Sequence, residues 1–424
     1  MRTVSCSPAE MEVCRIMIQS IEEIIFDEEL SVAAKDERVT ALLAPAGTEG
    51  IAAAITCLME TSDSRVAEHV AAYLEMIPGA QAEKTRAAER LRRTVPLARS
   101  AARLVPWLPA ATLDAFIQDY LAAPDPDSPY SAVLFNIGIY FPERLRHCAD
   151  RIDSPSIKES LLSGAEDDLA DALLAEWKND GDLDHLWALA LIRTEHAAEL
   201  IASVRDEVPD LEDWEWLMPL AGRLPDTGKA AGFHPAFMGF VADKGASKHI
   251  MGGTYAHQVP LCAECGAPAE RVLTLSAGDL PHNLSHDPSF FWFSCDCDEV
   301  DVITVRFTGQ GTKVYFNPQG PAGREPRLIP GERSMVLEPH PNQTGVSKTA
   351  IPGSVTRNSH HQVGGLPRWP TPETHPICPE CGNFMPFLAA VDSGPTPFGP
   401  VQFPWLLFGF WCDGCAVSTT RTQT

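Results

Sequence analysis

Between Pro8 and about Pro235, apolar residues recur at intervals of three and four within segments of roughly 10 to 20 residues, and turns rich in Pro, Gly or Asp interrupt them. That spacing places one apolar stripe on each of a series of short α-helices. Ser64 can cap a helix whose Val66, Val70, Tyr73, Leu74 and Ile77 share a face, and Pro78-Gly79 ends it. Another begins near Asp182 and carries Leu186, Leu189, Ala190 and Arg193; Thr194 then turns the chain into a partner with Ala198, Ile201 and Val204. Pairs such as 64–94 and 182–206 cannot bury their stripes alone, which predicts stacking of the kind found in a HEAT-like helical-repeat solenoid. No strict repeat consensus accompanies them, and an ordinary helical bundle is the alternative.

The pattern changes near residue 240. Gly239 to Gly253 reads as a junction, and short strand-like runs follow at Arg271–Leu275, Phe290–Ser294, Val300–Phe307, Lys313–Phe316 and Trp405–Trp411. Residues 317–359 are rich in Pro, Gly and polar residues around one apolar patch, Met335-Val336-Leu337, and read as an extended connector. The expectation is a multidomain chain: an all-α, helical-repeat domain over 1–240 and a mostly-β domain over 241–424.

Charge divides at the same place. Residues 1–240 hold 21 Lys and Arg against 41 Asp and Glu, a net of -20, while residues 241–424 hold 12 against 16, a net of -4. An acidic surface repels phosphate backbones, which argues against nucleic acid and favours a basic protein partner. No apolar run of the ~18 residues that a membrane span needs occurs. The first residues lack a basic stretch followed by an apolar one, so the chain is expected in the cytoplasm.

In a reducing compartment, closely paired cysteines are metal ligands more often than disulfides, and eight of the twelve cysteines are so paired. Two copies of one pattern follow each other, at about 250–316 and 360–420. The first runs Gly252-Gly253, Cys262-x-x-Cys265-Gly266, Val-Leu-Thr-Leu, then Phe290-Phe-Trp-Phe-Ser ending in Cys295-x-Cys297. The second runs Gly364-Gly365, Cys378-x-x-Cys381-Gly382, an apolar stretch from Met385 to Leu388, then Leu406-Leu-Phe-Gly-Phe-Trp ending in Cys412-x-x-Cys415. About 30 residues separate the cysteine pairs in each.

A Cys-x-x-Cys turn places two sulfurs on one side of a tight loop, and the glycine after it permits a left-handed backbone. Two such knuckles complete a four-thiolate site with no open coordination position, so two structural Zn²⁺ ions are expected. The tighter Cys295-x-Cys297 spacing leaves room for His257, His282 or His286 to replace a sulfur, and the spacing alone does not decide whether each site forms within a copy or across the two. Cys6, Cys14, Cys57 and Cys148 sit singly in helical segments and are expected in the core. No Walker loop, dinucleotide fingerprint, His-Glu-x-x-His or Gly-x-Ser-x-Gly occurs, so no catalytic residue is assigned.

The stretch from His361 through Gly394, with the later Leu406–Cys415, resembles the bacterial YwqG-like family and, more distantly, the eukaryotic programmed cell death protein 2 family, which share the TYPP domain. Gly364, Gly365, Pro367, Trp369, Cys378, Cys381, Met385, Phe387 and Leu388 occupy the motif positions. Ala390 stands where the family often has Gln, and Gln362 where it often has Lys. The resemblance implies a non-enzymatic protein-binding domain, chaperone-like for a ribosomal protein or immunity-like against a toxin. Both kinds of partner tend to be basic, which suits the acidic half. The competing expectation is a metal-dependent hydrolase using an open first site with His282 or His286.

Overall fold

Short polar side chains start most of the helices. Ser31, Asp63, Ser128, Ser154, Asp182, Thr194 and Asp210 stand at N-caps and accept a hydrogen bond from a first-turn amide, satisfying donors that a helix start leaves open. The computed structural model describes residues 8–208, 210–262, 264–295, 297, 302–308, 311–315, 328–329, 331–344, 361–368 and 374–423. Cys6 and Trp369 lie outside the described residues, as do Val300 and Phe316 at the ends of two expected strands.

Among the described residues the first half forms twelve α-helices: α1 Pro8–Phe26, α2 Val32–Leu43, α3 Thr48–Glu60, α4 Ser64–Glu75, α5 Gln81–Arg92, α6 Ala110–Ala122, α7 Pro129–Tyr140, α8 Pro155–Ser160, α9 Asp167–Asp180, α10 Leu183–Ile192, α11 Glu195–Ser203 and α12 Leu211–Leu220. A run of 3₁₀ turns, Val95–Trp107, packs against α4, α5 and α7. The cap of α4 is Asp63 rather than Ser64, because the Asp63 carboxylate accepts from both the Arg65 and Val66 amides. The expected stripes are buried: Val66, Val70, Tyr73 and Leu74 on α4, Leu186, Leu189 and Ala190 on α10, and Ala198 and Ile201 on α11. One apolar core gathers residues from Ile21 to Leu161, and a second gathers Ala165 to Ala221.

Among the described residues the second half is one antiparallel sheet of eleven strands: β1 Phe237–Ala242, β2 Ile250–Met251, β3 Glu270–Thr274, β4 Ser289–Trp292, β5 Val302–Thr308, β6 Gly311–Val314, β7 Arg333–Pro339, β8 His361–Val363, β9 Phe387–Gly394, β10 Val401–Cys412 and β11 Val417–Gln423. Their order is β4-β3-β2-β7-β1-β8-β9-β10-β11-β5-β6. The sheet curls: β4 lies against β11, and the Phe290 ring covers Gly409, where an added Cβ would meet it at 2.7 Å. Two expectations differ from this picture. The stretch read as a junction holds most of β1 and all of β2, and the one read as a connector contributes β7 around its Met335 patch.

The duplication appears in the register. Met251, just before the first glycine pair, lies opposite Arg333 of β7 and Leu273 of β3; Val363, just before the second, lies opposite Phe237 of β1 and Ala389 of β9. Pairing of β3 with β4 skips Val272, and pairing of β9 with β10 skips Leu388. The skipped residues are equivalent: the Gly252 N–H donates to Val272 O at 3.3 Å and the Gly364 N–H to Leu388 O at 2.7 Å. β1 and β7, each preceding one copy in the chain, pair with each other at the centre and reach across to the other copy's glycine strand.

The helices meet the sheet at these two strands. Met238 and Phe240 of β1 belong to the first helical core, with the Phe240 and Trp107 rings 5.9 Å apart. Glu338 of β7 accepts hydrogen bonds from Trp107 Nε1, at 2.9 Å, and from the Gly79 amide. Beneath lies Lys84, fully buried, its Nζ donating to Ile77 O and standing 3.3 Å from the Trp107 ring centroid.

Burial brings the Lys84 ammonium down to about 7, against the opposing pull of Glu338 and Glu75. The unfolded chain keeps that proton up to about 10.5. Between those values the unfolded state binds more protons, so stability should rise with pH. Lys84→Met is expected to flatten that rise in urea-unfolding curves taken at several pH values from about 7 to 9; parallel pH dependence in the two proteins would contradict it.

Candidate metal centres

The two knuckles close by the same hydrogen bonds. In the first, the Cys262 N–H donates to Ala267 O at 2.8 Å and the Gly266 N–H to Cys262 O at 2.9 Å; in the second, Cys378 donates to Asn383 O at 2.8 Å and Gly382 to Cys378 O at 2.9 Å. Both turn glycines are left-handed, Gly266 at φ 70° and Gly382 at φ 75°, a conformation that a side chain would strain. Each knuckle leads into a central strand, β3 or β9, and the second cysteine pair follows the next strand, β4 or β10.

Cys262, Cys265, Cys295 and Cys297 converge into one cluster and Cys378, Cys381, Cys412 and Cys415 into another, with the sulfurs of each within 4.8 Å of one another. Each cluster therefore forms within its own copy. The described cysteines are all free thiols. A tetrahedral ion with metal–sulfur bonds of about 2.3 Å needs sulfurs about 3.8 Å apart, and Cys381 Sγ lies 3.8 Å from Cys412 Sγ. The donor set and its spacing fit a metal ion at each cluster. Both clusters lean on apolar cores: Cys262 and Cys378 are fully buried, Cys378 with Met385, Phe387, Phe408 and Phe410.

Four thiols this close do not ionise together. Burial pushes Cys262 up, but the Cys265 and Glu264 amides and the neighbouring thiols outweigh it and bring it to about 7. In the second cluster Cys381 is likewise lowered: burial raises it, and the Asn383 amide and the other thiols more than compensate. Cys295 and Cys415 rise to about 11, chiefly through burial, and burial also raises Cys297 and Cys412. Each cluster thus has one sulfur ready to ionise, Cys262 or Cys381, and two that hold their protons until a cation arrives.

Among the described residues, no histidine takes part in either cluster. His282 is buried between the Phe233 and Phe237 rings, with Nε2 2.7 Å from Pro235 O, and burial lowers it below the usual imidazole range. His257 packs on Tyr255, and His286 belongs to neither group. Cys57 and Cys148 are buried, and burial raises Cys57 to about 12 and also raises Cys148, as inert core thiols require. Cys14 is half-buried against the same core.

Of the remaining motif residues, Met385, Phe387 and Leu388 are fully buried and Pro367 is buried. Gly364 and Gly365 are left-handed because the chain passes too close for a side chain: a Cβ on Gly364 would lie 2.4 Å from Pro235 O. Two residues that the spacing did not single out tie the second cluster to the rest. Glu380, inside the knuckle, pairs with Arg306 at 2.6 Å and Lys313 at 3.4 Å. Asp413, between the last two cysteines, accepts from the Ser285 amide at 2.9 Å and Trp411 Nε1 at 3.0 Å. Their signal was an acid placed between ligand cysteines.

No family model, curated protein or solved structure matches the chain.

The clusters predict two metal ions per chain. Cys381→Ser should leave one and Cys265→Ser with Cys381→Ser none, measured by native mass spectrometry and elemental analysis; a single ion retained by wild type, or two by the double variant, would refute the assignment.

Proposed function

We propose that the chain is a non-enzymatic, cytoplasmic protein-binding module in which two structural Zn²⁺ ions fix the sheet and the acidic helical half receives a basic protein, in a chaperone-like or immunity-like role. The charge division carries this reading: a net of -20 in residues 1–240 against -4 in the rest. A surface of one sign steers partners of the other and weakens with salt. Exposed acids such as Glu166, Asp167, Asp168 and Glu212 contribute to it.

Zinc is the metal favoured by four thiolates in a tetrahedral setting, and such a site leaves no position for water or substrate. The ions would supply folding energy, on the order of 10 kcal/mol per site, rather than reactivity. The all-sulfur donor sets remove the main support for the hydrolase alternative, which required a histidine ligand at the first site. A TYPP-like protein-binding role is in keeping with the Gly364-to-Leu388 motif. Residues 369–420 contain no Lys or Arg, which disfavours nucleic acid at the second knuckle.

A partner retained by the purified full-length chain is expected to be basic, to dissociate as salt rises through the physiological range, and to cross-link to residues 1–240. Retention of acidic partners alone, or binding indifferent to salt, would sink this reading.

A further inference from the structure

A pocket of about 320 Å³ lies where the turn between α10 and α11, the end of α12 and the chain just after β7 come together. Its charge is opposite to that of the chain, whose net is -24. Arg193, Arg223 and His234 line it with the polar side chains of Gln343 and Thr344, and among the described residues Glu195 is the one carboxylate in the lining.

Arg193 is nine-tenths buried. It sits at the left-handed C-cap of α10, where its Nε donates to Leu220 O at 3.1 Å, and its Nη1 is buried with no hydrogen-bond partner among the described residues. A buried guanidinium nitrogen left unpaired costs stability unless something accepts from it. Burial lowers this guanidinium to about 10, with Glu159 opposing the fall, so it remains charged at neutral pH. Thr194, next in the chain, caps α11 through a hydrogen bond from the Ala197 amide, so the positive end of a nine-residue helix also borders the pocket. Arg223 already shows which chemistry it accepts: its Nη2 holds the Glu195 carboxylate at 3.0 Å, and Glu195 is largely exposed and able to swing away.

We propose that this pocket binds a small oxyanion of phosphate size, held by the unpaired Arg193 nitrogen, the start of α11 and Arg223, with Glu195 as the internal competitor that the anion displaces. The site is independent of the metal clusters and of the acidic surface.

Calorimetric titration of the metal-loaded full chain with sodium phosphate, at constant ionic strength, tests it. One site with a dissociation constant of about a millimolar or tighter is expected, and acetate, with a single charge, should bind more weakly. Arg223→Gln should weaken phosphate about tenfold, the scale of one charge-assisted hydrogen bond. Glu195→Gln should strengthen it several-fold, a gain that loss of a merely structural ion pair would not give. No binding up to ~10 mM, or equal affinity in wild type and both variants once circular dichroism shows all three folded, would overturn the proposal. So would weaker binding by Glu195→Gln.

Discussion

β1 is used on every side. Its backbone pairs with β7 along one edge and β8 along the other, so both edges lie inside the sheet. Its side chains alternate: Met238 and Phe240 enter the helical core, while Val241 joins the core of the sheet. Gly239, between them, faces Met335 of β7 so closely that a Cβ would meet its Sδ at 2.6 Å and force that side chain to move. A shift of one residue would send Met238 and Phe240 away from the helices and drive a side chain into Met335. Register, helix docking and the joining of the two copies are thus one constraint.

Away from that strand, the sulfur clusters add to apolar packing. Each copy holds few strands, and its glycine strand is very short, β2 with two residues and β8 with three. Such pieces bury too little to hold a loop closed. The knuckle hydrogen bonds shape the turn, the left-handed glycine lets it close, and the second cysteine pair brings the end of the next strand back to it. Mutual repulsion of the thiolates makes the arrangement wait for a cation. The second cluster is further braced by Glu380 and Asp413, which link its loops to β5, β6 and the first copy's loop at Ser285. In the first knuckle the equivalent acid, Glu264, lies beside Cys297 instead.

Much of this was legible because the signals were local. Asp182 and Thr194 announce helix starts by their own capping chemistry, and the buried faces of α4 and α10 follow from 3.6-residue spacing. The cysteine pairs carry their geometry within four residues, and the clusters formed where that geometry pointed. What escaped depends on distant neighbours. β1 has Gly239 inside it and lies where composition changes, so it read as a joint; β7 sits among prolines and glycines. β11, Val-Ser-Thr-Thr-Arg-Thr-Gln, offers no apolar alternation, yet Ser418, Thr419 and Thr420 are buried because β10 and β5 flank it. Thr419 meets Thr304 hydroxyl to hydroxyl at 3.0 Å, a partnership the linear sequence cannot announce. The acid between cysteines stood in the sequence, but its bracing role was visible only once Arg306 and Lys313 stood beside it.

The crossing of β1 and β7 bears on how such a sheet arises. Each of these strands precedes one copy and completes the other, and they run antiparallel at the midpoint, so the two copies are related as subunits about a dyad would be. A shorter polypeptide with a single copy could build the same eight central strands by exchanging its leading strand with an identical molecule. Gene fusion would then have turned a symmetric pair into one chain, freeing its halves to diverge, as the shortened Cys295-x-Cys297 turn already does.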